Sequence, residues 1–292
     1  MTIDDIQQEQ ALATYDGEDK IVRGDILLDT LKNKALPKLF FKSKIPKLDK
    51  IIKDGFRGGQ LIVVSGITGQ GKSTLCKSIG LSAMEQGLLS TWFSYELDMQ
   101  EFLEDFPHDT VANILLPATL KGRSPEWIEL RAWEAKLKYE SNLVFIDHLH
   151  FLVDLHKSRN ISFDVGSVVR NLKLLAVKHN LVVFLICHTM KTKGDGEVEL
   201  GLGDVRDSSL IEQEADIVLY VWRDLDVECR SIMKIAKNRP TGTINKKIRL
   251  IYKGGRLYEE ADQTEDTGAY PGDRYGMGKG TKKGIPKGGV YV

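Results

Sequence analysis

The stretch GITGQGKST, residues 66–74, constrains this chain more than any other. It follows the apolar run QLIVVS and precedes a segment with helical spacing, so a buried strand must turn sharply into a helix through glycines. Gly66, Gly69 and Gly71 let backbone N–H groups turn inward around phosphate oxygens, with the positive end of the helix behind them. Lys72 is placed to hold β and γ phosphates and Ser73 to offer its hydroxyl to Mg²⁺, with Thr68 and Thr74 in the same cradle. This strand, loop and helix predict a nucleotide-binding α/β domain that takes ATP and Mg²⁺.

The rest of the chain repeats the alternation. LLSTWFSYE, NLVFIDH, LVVFLICH and ADIVLYVW read as buried strands, and helices are expected over 72–87, 125–140 and 164–180. That order predicts a doubly wound, mainly parallel sheet. Two further strands, about 229–237 and 245–252, flank the PTGT turn as a C-terminal β-hairpin. The domain is expected to span 46–262. Before it, 1–45 forms an N-terminal arm. Residues 1–22 lack apolar periodicity and read as flexible, while GDILLDTLKN, residues 24–33, is a short helix with Ile26, Leu27, Leu28 and Leu31 on one sticky face. After the domain, 263–292 is Gly-rich with five cations and no acid beyond Asp273, and is expected to be a disordered basic tail.

Composition removes several classes. Lys and Arg total 41 against 41 Asp and Glu, so nothing pulls the whole chain toward nucleic acid and any such binding must be local. The three cysteines have no metal-like spacing. No apolar run approaches the ~18 residues of a membrane span, and the acidic start MTIDDIQQEQ is unlike a secretory signal, so a cytoplasmic protein without membrane contact is expected.

Magnesium also needs a carboxylate, which LVFIDHLHF supplies as Asp147 at the end of an apolar strand. The next residue is His148 rather than Glu, so the base that activates water must come from elsewhere. Glu96, ending the second strand in WFSYELDM, lies at the same carboxyl edge and is the candidate; the alternative is a solvated surface Glu. His188 ends the strand LVVFLICH at that edge, where it could donate to the γ phosphate or simply be satisfied by backbone. His148, His150 and His156 invite a transition-metal reading, but His-x-His at a strand end leaves side chains on opposite faces, so no such site is expected. Residues 189–209 form a long polar loop, and its Lys191, Lys193 and Arg206 either contact a phosphate backbone or are solvated charge beside Asp195, Glu197, Glu199 and Asp204. Finally, nine Lys or Arg and no acid lie between Cys229 and Arg256, with Lys237 and Arg239 side by side in AKNRPTG. That patch attracts an anion.

In order, GITGQGKST, FSYELD, LVFIDHL, LICHTMK, GDVRDSSLIEQEADIVLYVWRD and IAKNRPTG resemble the ATPase domain of DnaB-type replicative helicases, closest in motif style to phage helicases. The resemblance implies a RecA-like P-loop fold and a ring-forming ATPase that moves along single-stranded DNA, typically 5′ to 3′, and separates duplex. It makes Glu96 the base, Asp147 the metal-binding acid and His188 a γ-phosphate sensor, a position where bacterial members usually carry Gln. It puts Arg206, Asp207 and Ser209 on a DNA-binding pore loop. Arg239 becomes an arginine finger and Lys237 its companion, both acting on ATP bound by a neighbouring subunit of a homo-hexamer, and DILLDTL becomes a helix that packs on the adjacent copy. About 45 residues cannot hold a collar or primase domain, so a separate primase, polymerase or loader is the expected partner, in the host cytoplasm if the chain is phage-encoded. Two rivals remain at this point: a RecA-type recombination or regulatory ATPase that binds DNA without unwinding it, and a monomeric small-molecule P-loop kinase.

Overall fold

The computed structural model describes residues 3–17, 20–33, 39–153, 161–188, 208–224 and 226–261. Met1–Glu260 forms one compact unit, and Ala261–Val292 falls to a second, of which only Ala261 is among the described residues. The expected basic tail therefore lies outside them.

The chain opens with helices α1 (Ile3–Ala13) and α2 (Gly24–Asn33), strand β1 (Phe40–Phe41), helix α3 (Pro46–Ile51) and strand β2 (Phe56–Arg57). The domain's core follows as β3 (Gln60–Gly66), α4 (Lys72–Met84), β4 (Ser90–Ser94), α5 (Met99–Glu104), β5 (Ile114–Leu115), α6 (Pro125–Tyr139), β6 (Leu143–Asp147), α7 (Ile161–Lys178), β7 (Val182–His188), α8 (Ser208–Glu214) and β8 (Ile217–Arg223). Three strands close it: β9 (Arg230–Asn238), β10 (Lys246–Lys253) and β11 (Arg256–Glu259). Nine of these strands form one sheet in the order β11-β10-β9-β8-β3-β7-β6-β4-β5. From β8 to β5 every pairing is parallel, and β9, β10 and β11 continue it antiparallel.

Central strand β3 is buried at every position, as a continuous apolar run in a two-sided sheet requires. Its alternate residues feed two cores. Ile62 and Val64 join Leu75, Cys76 and Ile79 of α4, while Leu61 and Val63 join Ile128 of α6, Val169 and Leu172 of α7 and Ile211 of α8. On the α4 side a row of rings crosses the sheet, Phe56 to Phe184 (5.0 Å), Phe184 to Phe145 (4.8 Å) and Phe145 stacked on Trp92 (4.0 Å). Gly80 of α4 passes so close that an added Cβ would lie 3.1 Å from the Trp92 ring.

The expected fold is present, with differences that have local causes. Residues 1–22 include a helix, α1, because Gln, Glu, Ala and Leu favour one; its described side chains are all exposed, so no apolar face marks it. In α2 the side chains of Ile26, Leu27 and Leu28 are 54%, 45% and 52% exposed, as a face without a local partner should be, and the Leu31 side chain lies outside the described residues. Short elements such as β5 and α5 carry too few residues to show a period. Asp98 caps α5, accepting from the N–H of Gln100 and Glu101, and Ser124 with Pro125 starts α6.

Candidate active site

The turn from β3 to α4 builds the cradle. An added Cβ at Gly66 would sit 2.3 Å from the Val221 carbonyl oxygen, so only glycine lets β3 and β8 approach there. Gly71 caps α4 with φ 92°, a left-handed conformation, and α4 carries no acid in its first turn, which leaves the positive helix end free for an anion. Lys72 is buried and its Nζ donates to the Ile67 carbonyl (3.0 Å), folded over the loop that would hold phosphate. Burial lowers the Lys72 ammonium from its ordinary value, opposed by the charges of Asp147 and Glu96.

Register then sets the other groups along one edge. Gly66 lies opposite His188 on β7, and Ser94 lies opposite Asp147 on β6, with Glu96 two residues past Ser94. Asp147 is 5% exposed; its Oδ2 accepts from the Ser73 hydroxyl (2.7 Å), while Oδ1 has no hydrogen-bond partner among the described residues. Burial pushes this carboxyl up, partly countered by Ser73 and reinforced by Glu96. An orphaned buried carboxylate oxygen beside a serine hydroxyl fits a hard divalent cation, so Asp147 and Ser73 suit Mg²⁺.

His188 Nδ1 is 3.3 Å from the Thr68 hydroxyl, joining the end of β7 to the cradle. Burial, followed by the Lys72 charge, holds the His188 imidazole down at about 4, so it is neutral near pH 7. His148 is likewise held at about 4, mainly by burial. Contrary to the alternation expected for His-x-His, the His148 and His150 rings lie 5.5 Å apart, and His148 and His188 4.2 Å apart. The strand ends at Asp147 and Leu149–Leu152 form a 3-10 turn, so the two-residue period no longer applies. Glu96, His148 and His188 present ligand atoms within 4.8 Å of one another.

Lys237 and Arg239 lie elsewhere. Arg239 N–H donates to the Asp216 carbonyl (2.8 Å), whose own N–H donates to Leu61 O (2.9 Å), at the start of β3. The cradle begins at Gly66, about 16 Å further along β3 at ~3.3 Å per residue. Lys237 Nζ donates to the Glu212 and Gln213 carbonyls at the end of α8, and Arg239 also reaches Gln213 O. The turn that carries them is anchored by Asn238 Nδ2 (3.0 Å) and the Thr241 hydroxyl (2.9 Å), both on Ile51 O. Of the expected DNA contacts, Lys191, Lys193, Arg206 and Asp207 lie outside the described residues; Ser209 stands in α8 with its side chain undescribed.

Sequence reasoning missed two features. Gln70 Oε1 accepts from Arg223 N–H (2.7 Å), tying the cradle to the end of β8. Beside it a cavity of about 470 Å³ is lined by Gly71 and Thr74 of the cradle, by Arg223 and by Tyr252, which is 46% exposed. The WRD sequence closing β8 and the half-apolar pattern of β10 were the available signals, but nothing in either indicated which strand ends meet. A larger cavity, about 580 Å³, lies between β5 and α6 and touches none of these residues.

A phosphate cradle at the carboxyl edge of a doubly wound sheet, with a buried acid and an imidazole beside it, is the arrangement of a RecA-like P-loop nucleotide-binding fold. Residues 110–256, half of the chain, match the DnaB-like helicase C-terminal domain, and the chain belongs to that family. The replicative DNA helicase DnaB of Rickettsia prowazekii is 27% identical over 165 residues, which make up 52% of this chain and 30% of that protein. A probable replicative DNA helicase of Trieres chinensis is 24% identical over 246 residues, 69% of this chain and 54% of that one. The chain thus spans about a third to a half of these relatives' length. Among solved structures, a DnaB-like replicative helicase studied for its interactions with primase aligns over 87% of this chain and 71% of its own, with a TM-score of 0.68 and 17% identity. A KaiC-like protein from Pyrococcus horikoshii aligns over 77% of this chain and all of its own, with a TM-score of 0.59 and 16% identity. These two likenesses establish the fold.

Proposed function

We propose that this chain is the ATP-hydrolysing motor of a replicative DNA helicase, working as a homo-hexameric ring that moves along single-stranded DNA, 5′ to 3′, and separates duplex. The supporting observation is the separation, within one copy, of the phosphate cradle from Lys237 and Arg239, which sit at the opposite end of β3. A finger there serves only a cradle on another copy, and a ring supplies one to every subunit. Family membership and helicase relatives that extend well beyond this chain point the same way.

In this reading the N-terminus of α4 and Lys72 hold the triphosphate. Ser73 and Asp147 hold Mg²⁺, which when bound neutralises charge on the β and γ phosphates. Glu96 orients and deprotonates the attacking water. Neutral His188 donates a hydrogen bond to the γ phosphate and registers its loss. Arg239, with Lys237, stabilises charge on the neighbour's γ phosphate. The cavity beside Gly71 receives the base, with the Tyr252 ring and Arg223 guanidinium as stacking surfaces. DNA is gripped by Arg206, Asp207 and Ser209 with Lys191 and Lys193, and primase is supplied by a separate partner, as a relative studied with primase suggests. No helix among the described residues is long and apolar enough to cross a membrane; in this reading the motor acts in the cytoplasm.

The test is a fork substrate with a 5′ single-stranded tail, Mg²⁺ and ATP. Strand displacement that depends on hydrolysis is expected, with a mass near six copies in the presence of DNA and nucleotide. A RecA-type ATPase would hydrolyse ATP on single strands and release no displaced strand; a monomer with turnover indifferent to DNA would refute the reading altogether.

A further inference from the structure

The carboxylate of Asp216 sits where the end of α8, the start of β3 and the Arg239 turn meet. Asp216 is 9% exposed. Its Oδ2 accepts from the Leu61 N–H (2.8 Å) and from Lys173 Nζ (2.6 Å), which also donates to Gly59 O (2.7 Å). Its main chain is fixed as well, by the bonds that join Arg239 N to Asp216 O and Asp216 N to Leu61 O. A buried carboxylate so held has little freedom to move. The remaining oxygen, Oδ1, faces Arg239 Nη1 at 3.5 Å, while Arg239 Nη2 donates to the Gln213 carbonyl.

Arg239 is thus secured on one side by a rigid anion and a helix-end carbonyl, yet its side chain remains 49% exposed. The Asp216 contact is long enough to yield and near enough to restrict the guanidinium's directions. Given the trans-finger reading, on which this inference rests, we propose that Asp216 is the positioning residue for Arg239, aiming its guanidinium out of its own subunit at the neighbour's triphosphate. Misplacing a catalytic group by about 1 Å costs on the order of 10²-fold in rate, the scale expected if this aim is lost.

Asp216→Asn tests it, because the amide oxygen still accepts from Leu61 N–H while the negative charge facing Arg239 is gone. In assembled, DNA-stimulated protein, kcat should fall about ten- to hundredfold with KM for ATP within about twofold. Adding Asp216→Asn to Arg239→Ala should cause no further loss. Asp216→Asn subunits mixed with Lys72→Ala subunits should regain turnover, since their own cradles then face intact fingers. Wild-type kcat, additive losses, or no recovery on mixing would each overturn the proposal. Asp216→Glu, which keeps the charge but shifts it by one methylene, is the second variant and answers the same mixing test if Asp216→Asn does not fold. Wild-type turnover in Arg239→Ala would instead sink the finger reading itself, whereas an inactive Arg239→Ala beside a fully active Asp216→Asn would sink only the role of Asp216.

Discussion

Replacing Ser73 by Ala removes the only hydrogen-bond donor that reaches the Asp147 carboxylate among the described residues. The bond is short, 2.7 Å, and charge-assisted, and Asp147 is 5% exposed, so water does not readily replace the lost hydroxyl. Hydrogen bonds to charged groups contribute about 1.5–3 kcal/mol, so Ser73→Ala should destabilise the nucleotide-free protein by about that much at pH 8. The sign with pH follows from Asp147. Its folded pKa already lies above the unfolded value because of burial, and losing the hydroxyl raises it further. Stability contributed by such a group is fully present below the unfolded value and lost as pH rises through the folded one. The difference between Ser73→Ala and wild type should therefore be largest at pH 8 and shrink as the pH falls and both carboxyls protonate. Urea unfolding across this range measures it. Affinity for a fluorescent ATP analogue should fall about 10- to 100-fold with Mg²⁺ present and much less in EDTA, while Ser73→Thr should restore both. Equal stability at pH 8 and unchanged Mg²⁺-dependent affinity would refute the pairing of Ser73 with Asp147.

Three further outcomes are expected. Glu96→Gln should bind nucleotide normally yet lose about 10²- to 10⁴-fold in turnover, and an active Glu96→Gln would place the base elsewhere. His188, held at about 4 when folded against 6.5 unfolded, contributes stability above pH 6.5 that is lost as pH falls through 4. Urea midpoints should therefore drop more steeply between pH 7 and pH 4.5 in wild type than in His188→Gln, and parallel curves would contradict the buried neutral imidazole. Gly80→Val should cost about 1–3 kcal/mol and alter tryptophan emission, because an added Cβ at Gly80 meets Trp92 at 3.1 Å where it stacks on Phe145; unchanged emission and stability would show that the ring has room to move.

What could be read from the sequence depended on how local each signal was. The cradle lies within a few consecutive residues whose glycines, lysine and serine each have a backbone reason, so its position at the β3 to α4 turn was visible beforehand. Asp147, Glu96 and His188 could be placed because each follows a clear apolar strand, and parallel pairing brings those strand ends to one edge. The meeting of His148 with His150 was not visible, since it depends on where β6 gives way to a 3-10 turn. In the sequence nothing distinguishes Asp216 from any other acid before an apolar strand. Its partners Leu61, Lys173 and Arg239 come from three distant parts of the chain, and only the sheet order joins them. Tyr252 and Arg223 were hidden for the same reason.

The central claim is that each ATP site is completed by Arg239 of another copy. Lys72→Ala subunits keep a finger but lack a working cradle, and Arg239→Ala subunits keep a cradle but lack a finger. Each alone should fall about 10³- to 10⁵-fold in DNA-stimulated ATPase. Mixed before assembly, they should recover a substantial part of wild-type turnover, at junctions where an Arg239→Ala cradle faces a Lys72→Ala finger. A mixture that assembles with DNA and nucleotide yet stays as inactive as its components would contradict the claim.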